Sequence, residues 1–215
     1  MTIGVFDSGV GGLSVANAIK KALPNEKIIL KEDKENLPYG TKTPKLLFKL
    51  VRPILESMVV EGCEIIVVAC NTVTTTIIKQ LREVIKVPLI GMEPMVKPAA
   101  ELTKKGKIAV FATPTTLASR RYAELKEKYA QHVKVVEPDC SNWSYMVENS
   151  QVDEQQIKNN VDFALNEGTD VIVLGCTHYH WIEELIKSFT DNKATVLQPE
   201  QPVIEQLKRV IEAKS

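Results

Sequence analysis

The chain carries one pattern twice, and this duplication restricts its fold more than any other feature of the sequence. Residues 63–72 and 169–178 each consist of an apolar run, a small residue, a cysteine and a polar pair. Segments 3–9 and 108–114 form a second related pair, and in both pairs the copies lie about 105 residues apart. Repetition at this spacing predicts two similar α/β halves within one chain.

Each apolar run in the duplicated segments is typical of a buried parallel strand that leads into a helix. Strands and helices alternate along the whole chain, which predicts an α/β fold with mainly parallel sheets. Strands are predicted at residues 3–6, 27–31, 64–69, 87–91, 107–112, 133–136, 171–175 and 194–197. Helices are predicted after the first glycine-rich turn, over 44–61, after Cys70, over 117–129, over 153–166, after Cys176 and over 202–213, whereas 138–149 is predicted to be irregular.

The duplication also predicts the domain organisation. We expect two pseudo-symmetric α/β domains that face each other across a central cleft, with residues 1–93 plus 194–215 forming the first and residues 94–193 the second. Cys70 and Cys176 then follow equivalent strands. Since ligands of open α/β sheets bind at the carboxyl ends of the strands, both cysteines are expected to face the cleft.

Composition argues against several classes of partner. Hydrophobic residues make up 44% of the 215 residues, enough for a substantial core. Lysine plus arginine and aspartate plus glutamate both number 27, which argues against nucleic acid, and no apolar run approaches the ~18 residues of a membrane span. Met1 leads almost directly into a strand without a signal-peptide pattern, so we expect a cytoplasmic protein with reduced cysteines. Cys63 and Cys140 are expected to be structural.

Two matched cysteines on opposite walls of a cleft suit one uncommon reaction, the inversion of a carbon centre. One thiolate removes a proton from one face of the carbon, and the other thiol returns a proton to the opposite face. Asp7 ends a strand that is expected to adjoin the Cys70 strand, and His178 lies two residues after Cys176. Either side chain is placed to assist the proton transfer of its cysteine.

The polar residues around the cysteines predict a binding site for a carboxylate. They offer hydroxyl, amide and helix N-terminal donors, all of which suit an anionic group. These residues are Ser8, Asn71, Thr72, Thr115, Thr116 and Thr177. No lysine lies in a recognisable pyridoxal-type motif, which favours a reaction without a cofactor.

These motifs resemble the aspartate/glutamate racemase family, and its glutamate racemases most closely. The matching segments span nearly the whole chain in the family's order. They are 6–12, Pro38-Tyr39-Gly40, Ala69-Cys70-Asn71-Thr72, the 112–116 turn with Ser119, and Gly175-Cys176-Thr177-His178-Tyr179. The resemblance implies two α/β domains around a central cleft, and interconversion of L- and D-glutamate without pyridoxal phosphate or a metal. It also implies a cytoplasmic homodimer that supplies D-glutamate for bacterial peptidoglycan.

The resemblance further implies a role for each site residue. Cys70 would act on D-glutamate and Cys176 on L-glutamate. Asp7 and His178 would assist them, and Glu148 would lie beside Cys176. The substrate would be held by Ser8, Pro38, Tyr39, Gly40, Asn71, Thr72, Thr115, Thr116, Thr177 and Glu148.

Four alternatives remain open. The turn at 9–14, with Glu32 or Asp33 about 20 residues further on, is nearly a dinucleotide-binding fingerprint, although its last glycine is missing. Segment 176–180 contains potential zinc ligands, although no second cluster accompanies them. The short chain and its altered segments leave two further hypotheses. One is a racemase of aspartate or another acidic amino acid, and the other is a homologue that binds an amino acid without turnover.

Overall fold

The structure is a computed structural model, and it describes residues 1–213. These residues form two compact units. The first comprises Met1–Glu93 together with residues 199–213, and the second comprises Pro94–Gln198. Each unit contains a four-stranded parallel sheet. Residues 214 and 215, which the sequence analysis assigns to the first domain, lie outside the described residues.

Strands and helices alternate along the described chain. The strands are β1 (Thr2–Asp7), β2 (Lys27–Glu32), β3 (Ile65–Val68), β4 (Leu89–Gly91), β5 (Lys107–Ala112), β6 (Lys134–Val136), β7 (Val171–Gly175) and β8 (Thr195–Leu197). The α-helices are α1 (Gly11–Ala22), α2 (Pro44–Val60), α3 (Asn71–Val84), α4 (Val96–Leu102), α5 (Pro114–Leu117), α6 (Arg120–Tyr129), α7 (Trp143–Glu148), α8 (Glu154–Asn166), α9 (Glu183–Thr190) and α10 (Glu200–Glu212). Three 3-10 helices, Lys34–Asn36, Tyr39–Thr41 and Thr177–Ile182, lie in the connections.

The sheet of the first unit has the strand order β2-β1-β3-β4. Its strand β3 reads Ile-Ile-Val-Val and is buried on both faces, as a central parallel strand requires. One face packs against α2 and α3, which contribute Leu47 and Leu81 to the core. The other packs against α1 and α10, which contribute Ile19 and Leu207. The first unit therefore needs α10, although α10 follows the second unit in the sequence.

The sheet of the second unit has the order β6-β5-β7-β8, which matches the first sheet strand for strand. Cys70 follows β3 after one intervening residue, and Cys176 follows β7 directly. The duplication in the sequence is thus a duplication of structure. The prediction of an α/β fold built from two similar halves with parallel sheets is confirmed. Within residues 1–213, no helix combines the length and the apolar character needed to cross a membrane.

The structure corrects the predicted domain boundary. The sequence predicts that residues 194–198 belong with the first domain. Strand β8 instead pairs with β7, with Val171 opposite Thr195 and Val173 opposite Leu197, so this segment lies in the second unit. Backbone pairing decides this membership, and a three-residue apolar pattern does not reveal which sheet a strand will join.

Two segments of the second unit also differ from the predicted local structure. The 138–149 segment, predicted to be irregular, contains the short helix α7, because its buried residues Trp143, Met146 and Val147 lie on one side of the backbone. Cys176 leads into a 3-10 helix rather than directly into an α-helix, and α9 begins only at Glu183.

Candidate active site

Cys70 lies at the carboxyl end of the β3 strand, where it is the N-cap residue of α3. The residue is only 5% exposed. Its Sγ donates a hydrogen bond to Ser8 Oγ at 3.6 Å. The first turn of α3 places partial positive charge beside the sulfur, because its backbone N–H groups have no partner within the helix. This environment suits a sulfur that must carry negative charge during a reaction.

Asp7 ends β1, the strand next to β3, and is fully buried. The two strand ends are joined where Ala69 N donates to Phe6 O at 2.8 Å. Gly12 in α1 lets the helix begin this close to the sheet, since a Cβ at Gly12 would lie 2.6 Å from Asp7 Cβ. The glycine-rich turn therefore packs α1 directly against the acidic residue beside Cys70.

The connection between β2 and α2 brings a tyrosine to the same end of the sheet. Tyr39 is buried, and burial raises the pKa of its phenol, with the hydrogen bond to Asp33 and the charge of Cys70 acting in the same direction. Tyr39 and Cys70 belong to the same buried cluster of the first unit. Of the residues beside Tyr39, Gly40 is buried and Pro38 is exposed.

Asn71 and Thr72 form the first turn of α3 and are both buried. Asn71 Nδ2 donates to Met92 O at 3.0 Å, so one of its amide donors is already used by the protein. Asn71 Oδ1 is buried and accepts no hydrogen bond from any of residues 1–213. Asn71 therefore offers a ligand an acceptor, whereas the backbone N–H groups of the same turn suit an anion.

In the second unit, ionisable side chains in contact with one another lie beside Cys176. Cys176 is buried at the end of β7, and its Sγ lies 3.8 Å from His178 Nδ1. His178 Nε2 lies 2.8 Å from Glu148 Oε2. With its proton on Nε2, His178 donates to Glu148 and presents the Nδ1 lone pair to the thiol. The contacts thus form a path along which the Cys176 proton can move.

An aromatic cluster fixes Glu148 and His178 relative to each other. Tyr179, which follows His178, stacks edge-on against Trp143 with ring centroids 5.2 Å apart. Trp143 begins α7, the helix that ends at Glu148. The Tyr179 hydroxyl donates to the Cys140 carbonyl at 3.0 Å, and burial, followed by the charges of Cys176 and Cys140, raises the pKa of the phenol. The cluster therefore joins α7 to the 3-10 helix that carries His178.

Threonines line the carboxyl end of β5, the neighbour of β7. Thr113 caps α5, and its Oγ1 donates to Thr116 Oγ1 at 3.1 Å. Thr116 is fully buried, whereas Thr115 is half-buried. These hydroxyls lie at the same edge of the second sheet as Cys176 and the buried Thr177.

The structure collects the predicted site residues in two groups, one in each unit. The first group is Asp7, Ser8, Tyr39, Gly40, Cys70, Asn71 and Thr72, and the second is Thr115, Thr116, Glu148, Cys176, Thr177 and His178. Pro38 points to solvent at the rim of the first group. Within residues 1–213, no group of three or more histidine, cysteine, aspartate or glutamate side chains is placed to hold a metal ion.

The sequence does not predict the partner of Tyr39. Its motifs associate Asp33 only with a near dinucleotide-binding fingerprint. Its carboxylate instead accepts a hydrogen bond from Tyr39 Oη at 2.5 Å. The six-residue spacing gives no periodic signal, because an irregular loop joins the two residues.

Two α/β units, each with a parallel sheet and a buried thiol at the end of an equivalent strand, define the class of the duplicated α/β racemases. The chain belongs to the Asp/Glu/Hydantoin racemase family, whose sequence model matches residues 3–207. Among curated relatives, it is 40% identical to a glutamate racemase of Clostridium botulinum over 211 residues, which are 96% of this chain and 82% of that protein. A glutamate racemase of Pseudomonas syringae pv. tomato is 38% identical over 214 residues, or 97% of this chain and 78% of that protein.

Solved structures agree with the sequence relatives. Escherichia coli glutamate racemase, crystallised with L-glutamate and the activator UDP-MurNAc-Ala, matches with a TM-score of 0.91 and 28% identity. The match covers 98% of this chain and 82% of the E. coli chain. Allantoin racemase of Klebsiella pneumoniae shares the fold at 16% identity and a TM-score of 0.62.

Proposed function

We propose that this chain interconverts L- and D-glutamate and that Cys70 and Cys176 are its two bases. The observation that carries the proposal is the equivalent position of the two buried thiols, each after the same strand of a duplicated sheet. The membership of the racemase family and the identity to glutamate racemases support glutamate as the substrate.

In the proposed mechanism, the Cys176 thiolate removes the α-proton of L-glutamate and the Cys70 thiol delivers a proton to the opposite face. The electron pair left on the α-carbon delocalises into the α-carboxylate until the second proton arrives. The substrate loses one proton and gains one, and the two thiols exchange protonation states. The proposed reaction uses no pyridoxal phosphate, because no lysine lies in a recognisable pyridoxal-type motif.

The neighbours of each thiol reset its protonation state. His178, held by Glu148, receives and returns the Cys176 proton through Nδ1. Asp7 serves Cys70 in the proposed scheme, from the adjacent strand end. These assignments give each half of the reaction its own proton path.

Polar groups around the thiols hold the substrate in the proposed complex. The α3 N-terminus binds a carboxylate, and Asn71 Oδ1 accepts from a substrate donor. The proposed binding residues are Ser8, Pro38, Tyr39, Gly40, Asn71, Thr72, Thr115, Thr116, Thr177 and Glu148. We also propose, from the resemblance to the family, a cytoplasmic homodimer whose D-glutamate supplies peptidoglycan. Size-exclusion chromatography with light scattering measures the molar mass in solution and tests whether the protein is a dimer.

Deuterium exchange tests the reaction directly. The protein is incubated in D₂O with L-glutamate or D-glutamate, and with both enantiomers of aspartate in parallel. We expect loss of optical rotation of glutamate, with deuterium at the α-carbon of the product. Racemisation of aspartate alone would transfer the proposal to that substrate, and no exchange with any acidic amino acid would overturn it.

Cysteine variants test the two-base assignment. Cys70→Ala and Cys176→Ala are each expected to abolish racemisation, because either change leaves one face of the carbon without a proton carrier. Cys63→Ala is the matched control, since Cys63 is also a buried free thiol but lies before β3, and we expect it to keep racemisation. Full activity in either of the first two variants would refute the mechanism.

A further inference from the structure

One buried carboxylate at the edge of the first sheet has no place in the proposed mechanism. Asp33 is only 9% exposed, and its side chain accepts three hydrogen bonds. Tyr39 Oη donates to Oδ2 at 2.5 Å, while Asn36 Nδ2 lies 2.8 Å from Oδ1 and 3.1 Å from Oδ2. A buried carboxylate is retained at low cost only when its oxygens are satisfied in this way.

Asp33 lies beside the reacting edge of the sheet. It follows β2 directly, and its backbone N donates to Asp7 O at 3.3 Å. Asp7 is paired with Glu32 in the register of β1 and β2. The backbone of Asp33 is therefore fixed by the same strand end that carries the acidic neighbour of Cys70.

The Asp33 side chain is the link between this fixed strand end and Tyr39. Only two short 3-10 helices lie between β2 and α2, so the loop has little regular structure of its own. Tyr39 is buried in the same core cluster as Cys70, and its phenol proton is directed at Asp33. The lone pairs of the phenol oxygen are thus left for another donor, and its position depends on Asp33.

We infer that Asp33 is a positioning residue that holds Tyr39 in the substrate site beside Cys70, and that it acts on glutamate binding through this tyrosine. The inference rests on the proposed function for the identity of the substrate. The contact requires a carboxylate in particular. Asparagine at this position would replace one acceptor oxygen by an NH₂ donor. That donor would face either the Asn36 Nδ2 donor, which is repulsive, or Tyr39 Oη, which would then have to accept the hydrogen bond instead of donating it.

The test is a double-mutant cycle of Asp33→Asn and Tyr39→Phe in the full chain, with racemisation kinetics. We expect either single variant to raise KM for glutamate about tenfold with kcat within about threefold, because uniform binding is lost. The double variant should match the worse single variant, since both changes break one contact. A KM within twofold of wild type in Asp33→Asn, or additive effects in the double variant, would overturn the inference.

A second measurement separates this inference from the proposed function. Iodoacetamide alkylation of Cys70, followed by peptide mass spectrometry, gives the glutamate concentration that half-protects the thiol. Asp33→Asn should raise that concentration about tenfold whether or not the chain turns glutamate over. If glutamate protects the wild-type thiol but is not turned over, the proposed function is refuted. The role of Asp33 is then tested by the change in half-protecting glutamate concentration alone. Absence of protection in the wild type would overturn the inference as well.

Asp170→Asn is the matched control for a purely structural carboxylate. Asp170 also accepts three hydrogen bonds, from Thr103 Oγ1, from Lys104 N at 2.8 Å and from Lys105 N at 3.0 Å, but it immediately precedes β7, at the opposite end of that strand from Cys176. This variant should lower Tm and leave KM within twofold. If Asp33→Asn does not fold, Tyr39→Phe alone tests the hydrogen bond between Tyr39 and Asp33. An unchanged KM of the Tyr39→Phe protein would then overturn the inference.

Discussion

Replacing Gly12 by alanine tests whether Asp7 must lie where α1 holds it. The new Cβ would lie 2.6 Å from Asp7 Cβ, 3.2 Å from Leu30 Cδ1 and 3.6 Å from Asp7 Cγ. Carbon atoms in contact prefer separations of about 3.5–4.0 Å, so α1 or Asp7 must move by about 1 Å. Asp7 ends β1, between β2 and β3, so a movement of Asp7 also shifts the strand end beside Cys70.

The magnitudes follow from this overlap. Overpacking of a close contact costs about 1–3 kcal/mol, and alanine recovers about 0.5–1 kcal/mol of helix propensity relative to glycine. We therefore expect the free energy of unfolding to fall by about 1 kcal/mol. A displacement of about 1 Å at a reacting group reduces the rate on the order of 100-fold, so kcat/KM should fall by about that factor.

Urea denaturation and racemisation kinetics measure the two effects separately. Asn17→Ala is the control, because Asn17 is exposed on the same helix and the change adds helix propensity without a new contact. A Gly12→Ala protein with kcat/KM within threefold of wild type, or with greater stability, would refute the argument that Gly12 sets the position of Asp7.

Three further changes probe the second unit. Glu148→Gln removes the carboxylate that holds His178, so kcat should fall about 100-fold, with a larger primary deuterium isotope effect for L- than for D-glutamate. Tyr179→Phe deprives the Cys140 carbonyl of its donor and should lower the free energy of unfolding in urea by about 1–2 kcal/mol. Partial burial opposes ionisation of Asp170, but its hydrogen bonds hold its pKa below the ordinary 3.8, so ionisation stabilises the fold above that pH. The Tm deficit of the Asp170→Asn protein should therefore be full at neutral pH and shrink as the pH falls below 3.8.

Matched controls accompany these changes. Glu127→Gln alters an exposed carboxylate of α6 and should leave both isotope effects unchanged. Tyr145→Phe removes the hydroxyl of a tyrosine that is 58% exposed and should leave the free energy of unfolding within about 0.5 kcal/mol. Equal isotope effects for both enantiomers in Glu148→Gln would contradict the role of the His178–Glu148 contact. Unchanged stability of Tyr179→Phe would contradict the bond to the Cys140 carbonyl, and a pH-independent Tm deficit of Asp170→Asn would contradict the role of the Asp170 charge.

Much of the fold can be predicted from the sequence, because buried parallel strands need unbroken apolar runs. The runs that become β3 and β7 are recognisable on sight, and their repetition predicts two equivalent halves. Strand β8 is too short for its pattern to show which sheet it joins. Helix α7 has fewer than two turns, too few for a helical period to stand out from an irregular segment.

The candidate site, too, can be predicted from the sequence only in part. Cys70 and Cys176 are predictable because strand ends in parallel sheets collect functional side chains. The Asp33–Tyr39 contact is not predictable, because it depends on the path of a loop with little regular structure. Contact of His178 with Glu148 requires that α7 exist and that Trp143 pack on Tyr179, neither of which a local pattern reveals.

The position of α10 has a consequence for synthesis on the ribosome. The second unit occupies one continuous stretch, Pro94–Gln198, so all of its strands are synthesised before α10. The first unit at that moment lacks Val203, Ile204 and Leu207, and the apolar face that they cover stays open to solvent. The half that is made first is therefore completed last, and the nascent chain exposes apolar surface until α10 has been translated.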